Sequence, residues 1–132
     1  MKLMRYKVGS NAIRQYVSDD RAGLYDVSEV LSSWENAFTI KDNAPSGLRH
    51  PQRGALYAIK AHWTVSKEPV TIVMPTGTGK TEVMIATVVS EIVGRTMVIV
   101  PSDMLRKQTA EKFLSFGILQ ENGVIDASAI TP

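Results

Sequence analysis

Val70-Thr71-Ile72-Val73-Met74 runs straight into Pro75-Thr76-Gly77-Thr78-Gly79, and that loop opens onto Lys80-Thr81 and an apolar-periodic stretch reaching Val93. A short β-branched run without polar alternation suits a strand buried on both faces of a parallel sheet. Two glycines one residue apart can take positive φ, which lets successive backbone N–H groups converge on one point. A helix starting at Lys80 brings its unsatisfied N–H groups and the positive end of its dipole to that same point. Strand, glycine loop and helix in this order predict an anion cradle. The bland alternative is a plain glycine turn, which this context disfavours.

The side chains extend the reading. Lys80 supplies a mobile full charge for the β- and γ-phosphates of a nucleotide and is the candidate catalytic residue. Thr81 offers a hydroxyl to Mg²⁺, an ion that keeps most of its waters and takes few protein ligands. The candidate nucleotide-binding set therefore runs Pro75, Thr76, Gly77, Thr78, Gly79, Lys80, Thr81 and Glu82. The generic pattern G-x-x-x-x-G-K-[ST] has a glycine where this chain has Met74. Hydrolysis also needs a carboxylate to hold the metal. Only Val124-Ile125-Asp126 approaches that form, and its short run followed by Ala127 marks Asp126 as a loop or cap residue.

The 132 residues are enough for one domain with a real core. Fifteen basic against thirteen acidic residues leave a net charge of +2, too small to argue by itself for nucleic acid or membrane. The absence of cysteine excludes a disulfide scaffold, thiolate zinc sites and thiol nucleophiles. Charges interrupt every apolar run near the N-terminus, so neither a leader nor a membrane span is expected, and a cytoplasmic location is.

Ahead of the loop the chain divides near Ser46. In the first part, Ile13, Tyr16 and Val17 have helical spacing, and Asp19 to Gly23 reads as a turn. Val27, Val30, Leu31, Trp34 and Phe38 form one apolar stripe, opened by a capping-box pair of Asp26 and Glu29. Trp34 and Phe38 are read as core, ahead of a docking face for a partner or for a missing part of the chain. Asn43 to Gly47 is a break. Pro51 then suits the first turn of a helix carrying Leu56, Ile59 and Trp63. Beyond Gly94, Thr96-Met97-Val98-Ile99-Val100 predicts a second buried strand. Ser102 or Asp103 caps a following helix that turns Leu105, Thr109, Phe113 and Phe116 inward and closes at Gly117. Strands alternating with helices predict an α/β fold with parallel strands and right-handed crossovers.

With these residues in place, the segment from Leu48 to Gly123 resembles the start of the first RecA-like domain of superfamily 2 helicases. Within them it is most similar in style to the DEAD/DEAH-box proteins that include the motor subunits of type I and III restriction enzymes. Pro75 to Thr81 resembles helicase motif I, which here often lacks its first glycine. Leu48-Arg49-His50-Pro51-Gln52 resembles an upstream element whose glutamine reads adenine. Val98 to Gln108 resembles motif Ia, where a strand end and helix start touch the nucleic-acid backbone.

The resemblance implies a P-loop NTPase fold with an incomplete RecA-like parallel sheet over residues 47–132, preceded by a helical lead-in over 1–46. It implies ATP and Mg²⁺ as cofactors, Gln52 at the adenine, and Ser102, Arg106 and Lys107 at a nucleic-acid backbone. Asp103 stands where relatives often carry Arg, a position at which it would repel phosphate. The implied partners are nucleic acid, DNA ahead of RNA, and restriction or modification subunits, with no membrane. The implied activity is ATP-dependent helicase or translocase work. The later helicase motifs do not occur in the sequence, so this chain itself is expected to turn over little ATP. Two other readings stay open: a non-enzymatic, degenerate nucleotide-binding fragment, and an unrelated P-loop NTPase.

Overall fold

The computed structural model describes residues 2–3, 26–40 and 47–132. The expected helix at Ile13 to Val17, the turn at Asp19 to Gly23 and most of the break before Gly47 lie outside these. In chain order the elements are β1 (Lys2–Leu3), α1 (Val27–Ser33), α2 (His50–Val65), β2 (Val70–Thr71), α3 (Lys80–Ser90), α4 (Asp103–Ser115) and α5 (Ile118–Glu121).

The parallel sheet expected of an α/β, RecA-like P-loop fold is not formed among the described residues. Helices of up to 16 residues dominate, and the two named strands hold two residues each. These strands pair antiparallel with each other, Lys2 opposite Thr71 and Leu3 opposite Val70. Thr96 to Val100 belongs to no strand. A β-branched run is compatible with a strand, but a strand exists only through a ladder partner, and none of the described residues supplies a parallel one.

Exposure shows how these two runs pack instead. Val70, Ile72 and Met74 face the buried Ala55, Ile59 and Val83 of α2 and α3, while Val73 is 90% exposed. Thr96, Val98 and Val100 line a cavity of about 480 Å³ with Val88 and Phe113, while Met97 and Ile99 are 84% and 81% exposed. The first run thus has one face against helices and one toward solvent, and the second borders an open cavity with Thr96 and Val98 themselves exposed, so neither has the two covered faces that its composition suggested.

The helices follow their sequence signals more closely. Asp26 caps α1, with its carboxylate accepting from the Val27 amide and the Glu29 carboxylate accepting from the Asp26 amide. α3 opens at Lys80 as expected but ends at Ser90, before Val93. Ser102 caps α4 by accepting from the Leu105 amide at 3.3 Å. Thr109 and Phe116 are buried, but Leu105, expected inside, is exposed.

The larger core brings Trp34 and Ala37 together with Leu56, Ile85, Val89, Phe116, Leu119, Val124 and Ile125. The Trp34 ring meets that of Phe116 edge-on at 6.3 Å. Its indole N–H donates to the Ile130 carbonyl at 2.8 Å, and Ser33 Oγ accepts from the Ile130 amide. Phe38 and Ile125 form an isolated antiparallel bridge. No helix among the described residues is long and apolar enough to cross a membrane.

Candidate phosphate-binding loop

Between β2 and α3 the chain turns at Thr76 and Gly77 and enters the helix through Gly79. Gly77 and Gly79 have φ of +79° and +84°, the left-handed region that a side chain disfavours. A Cβ at Gly77 would meet nothing within 4 Å. A Cβ at Gly79 would run into the amide nitrogen of Gln52 and stand 3.0 Å from Glu82 Oε2. One glycine thus borders open space, and the other is required by close packing beneath the loop.

The Pro75 carbonyl gathers the loop's polar side chains. Thr78 Oγ1 donates to it at 2.7 Å and Lys80 Nζ at 2.8 Å. The partner of Lys80 is therefore a neutral carbonyl on the loop itself, an arrangement that leaves a full positive charge at the mouth of the turn. Thr81 follows in the first turn of α3. Pro75 and Thr76 are exposed.

Gln52 is only 2% exposed, and both ends of its carboxamide engage backbone. Its Oε1 accepts from the Arg49 amide at 2.8 Å, the reach of a residue at the third position of a helix back to its cap. Its Nε2 donates to the Gly79 carbonyl at 3.3 Å. A glutamine reading adenine from here would use its second N–H and second lone pair, or exchange one of these bonds for the base. Arg49, which is exposed, donates from Nη1 to the Gly77 carbonyl at 3.2 Å. The start of α2 is thus tied to both glycines of the loop.

Glu82 is 6% exposed and forms an ion pair with Lys112 from the last turn of α4, Oε1 to Nζ 2.6 Å. Burial pushes its carboxyl up. The Lys112 hydrogen bond, its own backbone amide and the charges of Lys112 and Arg49 outweigh that and hold it below the usual glutamate range. Sequence reading missed Lys112. The two residues lie 30 positions apart, and no local pattern marks such a pair.

At the start of α4, Arg106 pairs with Asp103 at 2.6 Å and Lys107 with the same carboxylate at 3.5 Å, all well exposed. The Arg106 hydrogen bond and charge, with help from Lys107, hold the Asp103 carboxyl below its ordinary value. Ser102, Arg106 and Lys107 lie on one helix start, but Asp103 holds both cations. Asp126 accepts from the amide and hydroxyl of Ser128 in a loop, in keeping with its sequence reading. No group of three or more metal-capable side chains occurs among the described residues.

Comparison with known proteins gives one family. Residues 46–129 match the model described as type III restriction enzyme, res subunit. No curated protein and no solved structure matches the chain.

Proposed function

The chain belongs to the family of the type III restriction enzyme res subunit, and from that premise we propose that it binds ATP through the loop from Pro75 to Glu82. The observation that carries the proposal is the pair of left-handed glycines beside a lysine whose partner is a neutral carbonyl. This combination offers a glycine turn, a helix start and a movable cation to an anion of several charges. Phosphate oxygens would replace the Pro75 carbonyl as partners of Lys80. The open space beside Gly77 fits that approach. Thr81 would hold Mg²⁺ together with the phosphates and water. The bound ion would neutralise charge on the β- and γ-phosphates.

Within this family the nucleotide would serve ATP-dependent helicase or translocase work on nucleic acid, DNA ahead of RNA, alongside restriction or modification subunits. Residues 47–132 would carry the nucleotide and residues 1–46 would lead into it. The start of α4, with Ser102, Arg106 and Lys107, would meet the nucleic-acid backbone once Asp103 gives up its cations.

The direct test is titration of the chain with a fluorescent ATP analogue. Lys80→Ala is expected to weaken binding by about tenfold or more, the effect of losing a charge-assisted contact. Equal binding by the parent and the variant would sink the proposal.

A further inference from the structure

Glu82 follows Lys80 and Thr81 directly, yet its carboxylate is buried against Gly79. A buried negative charge beside an anion-binding loop opposes any phosphate unless cations cancel it. Two cations are at hand. Arg49 stands at the N-cap of α2 and donates to the loop itself at the Gly77 carbonyl. Lys112 is the direct partner, and it arrives from α4.

We propose that Lys112 is a positioning residue for phosphate binding: by pairing with Glu82 it cancels the buried charge next to Gly79, so the seating of α4 and nucleotide affinity are linked. The proposal rests on the reading of residues 75–82 as a nucleotide cradle and adds how that cradle is regulated. Linkage is reciprocal. Nucleotide in the loop favours the docked Lys112, and anything that lifts the last turn of α4 loosens nucleotide. The same helix begins with Ser102, Arg106 and Lys107, so one rigid element joins the candidate nucleic-acid contacts to the charge beneath the loop.

The fold contains its own control. Lys60 and Glu91 form a second inter-element ion pair of the same length, 2.6 Å, with Glu91 just past the far end of α3. Its chemistry matches that of the first pair, but it lies away from the loop.

The experiment uses the full chain, with circular dichroism as a folding check before each titration. The probes are a fluorescent ATP analogue and, separately, inorganic tripolyphosphate, which senses the cradle alone. Lys112→Met is expected to weaken both by about fivefold or more, within the usual range of coupling between sites. Adding Glu82→Gln to Lys112→Met should restore most of the loss, because the uncancelled charge is then gone. Lys60→Met should leave both affinities unchanged. If Lys112→Met does not fold, Glu82→Gln alone decides: removing the negative charge should tighten tripolyphosphate binding. Parent-like binding by Lys112→Met, no recovery in the double variant, or weaker tripolyphosphate binding by Glu82→Gln would each overturn the proposal. Insensitivity to Lys80→Ala would instead remove the nucleotide reading beneath it, so the two failures are distinguishable.

Discussion

Gln52 Nε2 donates to the Gly79 carbonyl at 3.3 Å while the same carbonyl accepts the first α3 bond from the Val83 amide. One oxygen thus ties the start of α2 to the start of α3. Replacing Gln52 with Ala removes that bond and the one from the Arg49 amide. The buried groups left behind should make the change cost about 1–3 kcal/mol in urea unfolding.

The two loop glycines should respond differently to alanine. Gly77→Ala meets open space and bears only the strain of positive φ, about 1–2 kcal/mol. Gly79→Ala bears similar strain and also drives a methyl group into Gln52. Gly79→Ala should be the more destabilising of the two by denaturant midpoint. Equal effects would mean that Gln52 does not pack as described.

The departure from a sheet buried on both faces can be tested directly. Val73→Thr, Met97→Thr and Ile99→Thr alter exposed positions and should each change stability by no more than about 0.5 kcal/mol. Ile59→Ala, at a fully buried site, should cost about 2–5 kcal/mol. Large losses at Met97 and Ile99 would require a second covered face.

Acid should weaken the Glu82–Lys112 pair. The folded pKa of Glu82 lies below its unfolded value, so the pair's contribution is present above the unfolded value and lost as pH falls through the folded one. The loss begins below the ordinary glutamate value of about 4.3. Glu82→Gln should therefore show a shallower fall in stability between neutral and acidic pH than the parent, measured by urea unfolding at a series of pH values. A parallel slope would remove Glu82 from the acid response.

Trp34→Ala should cost about 3–5 kcal/mol, since it empties an aromatic site and deletes the bond to the Ile130 carbonyl. Thermal or urea unfolding would measure it. A change below 1 kcal/mol would mean that α1 sits on the core without stabilising it.

What could be read from the chain divides along a physical line. Helical spacing at Leu56 and Ile59, the cap residues Asp26 and Ser102, and the glycine turn before Lys80 are local signals, and each has its counterpart in the structure. The runs Val70 to Met74 and Thr96 to Val100 looked like buried strands because β-branched composition reports compatibility with a pleated backbone. It does not report whether a ladder partner exists. The bond from Gln52 to Gly79 and the pair of Lys112 with Glu82 were illegible for a related reason. Each contact joins elements 27 to 30 residues apart, and no short-range pattern encodes that distance. The resemblance pointed to the family matched over residues 46–129 but could not show which side chains lie beneath the glycine loop.

The matched segment begins at residue 46, yet Trp34 and Ala37 are buried in the same core as Phe116, Leu119, Val124 and Ile125. The inherited module and the cooperative unit are therefore offset along the chain. A recombination between relatives at residue 46 would transplant a recognisable sequence without Trp34 and Ala37, the part of the larger core that precedes it. The incoming partner would have to supply an indole and its N–H donor for the Ile130 carbonyl, or the graft would carry the right motif on an unsealed body.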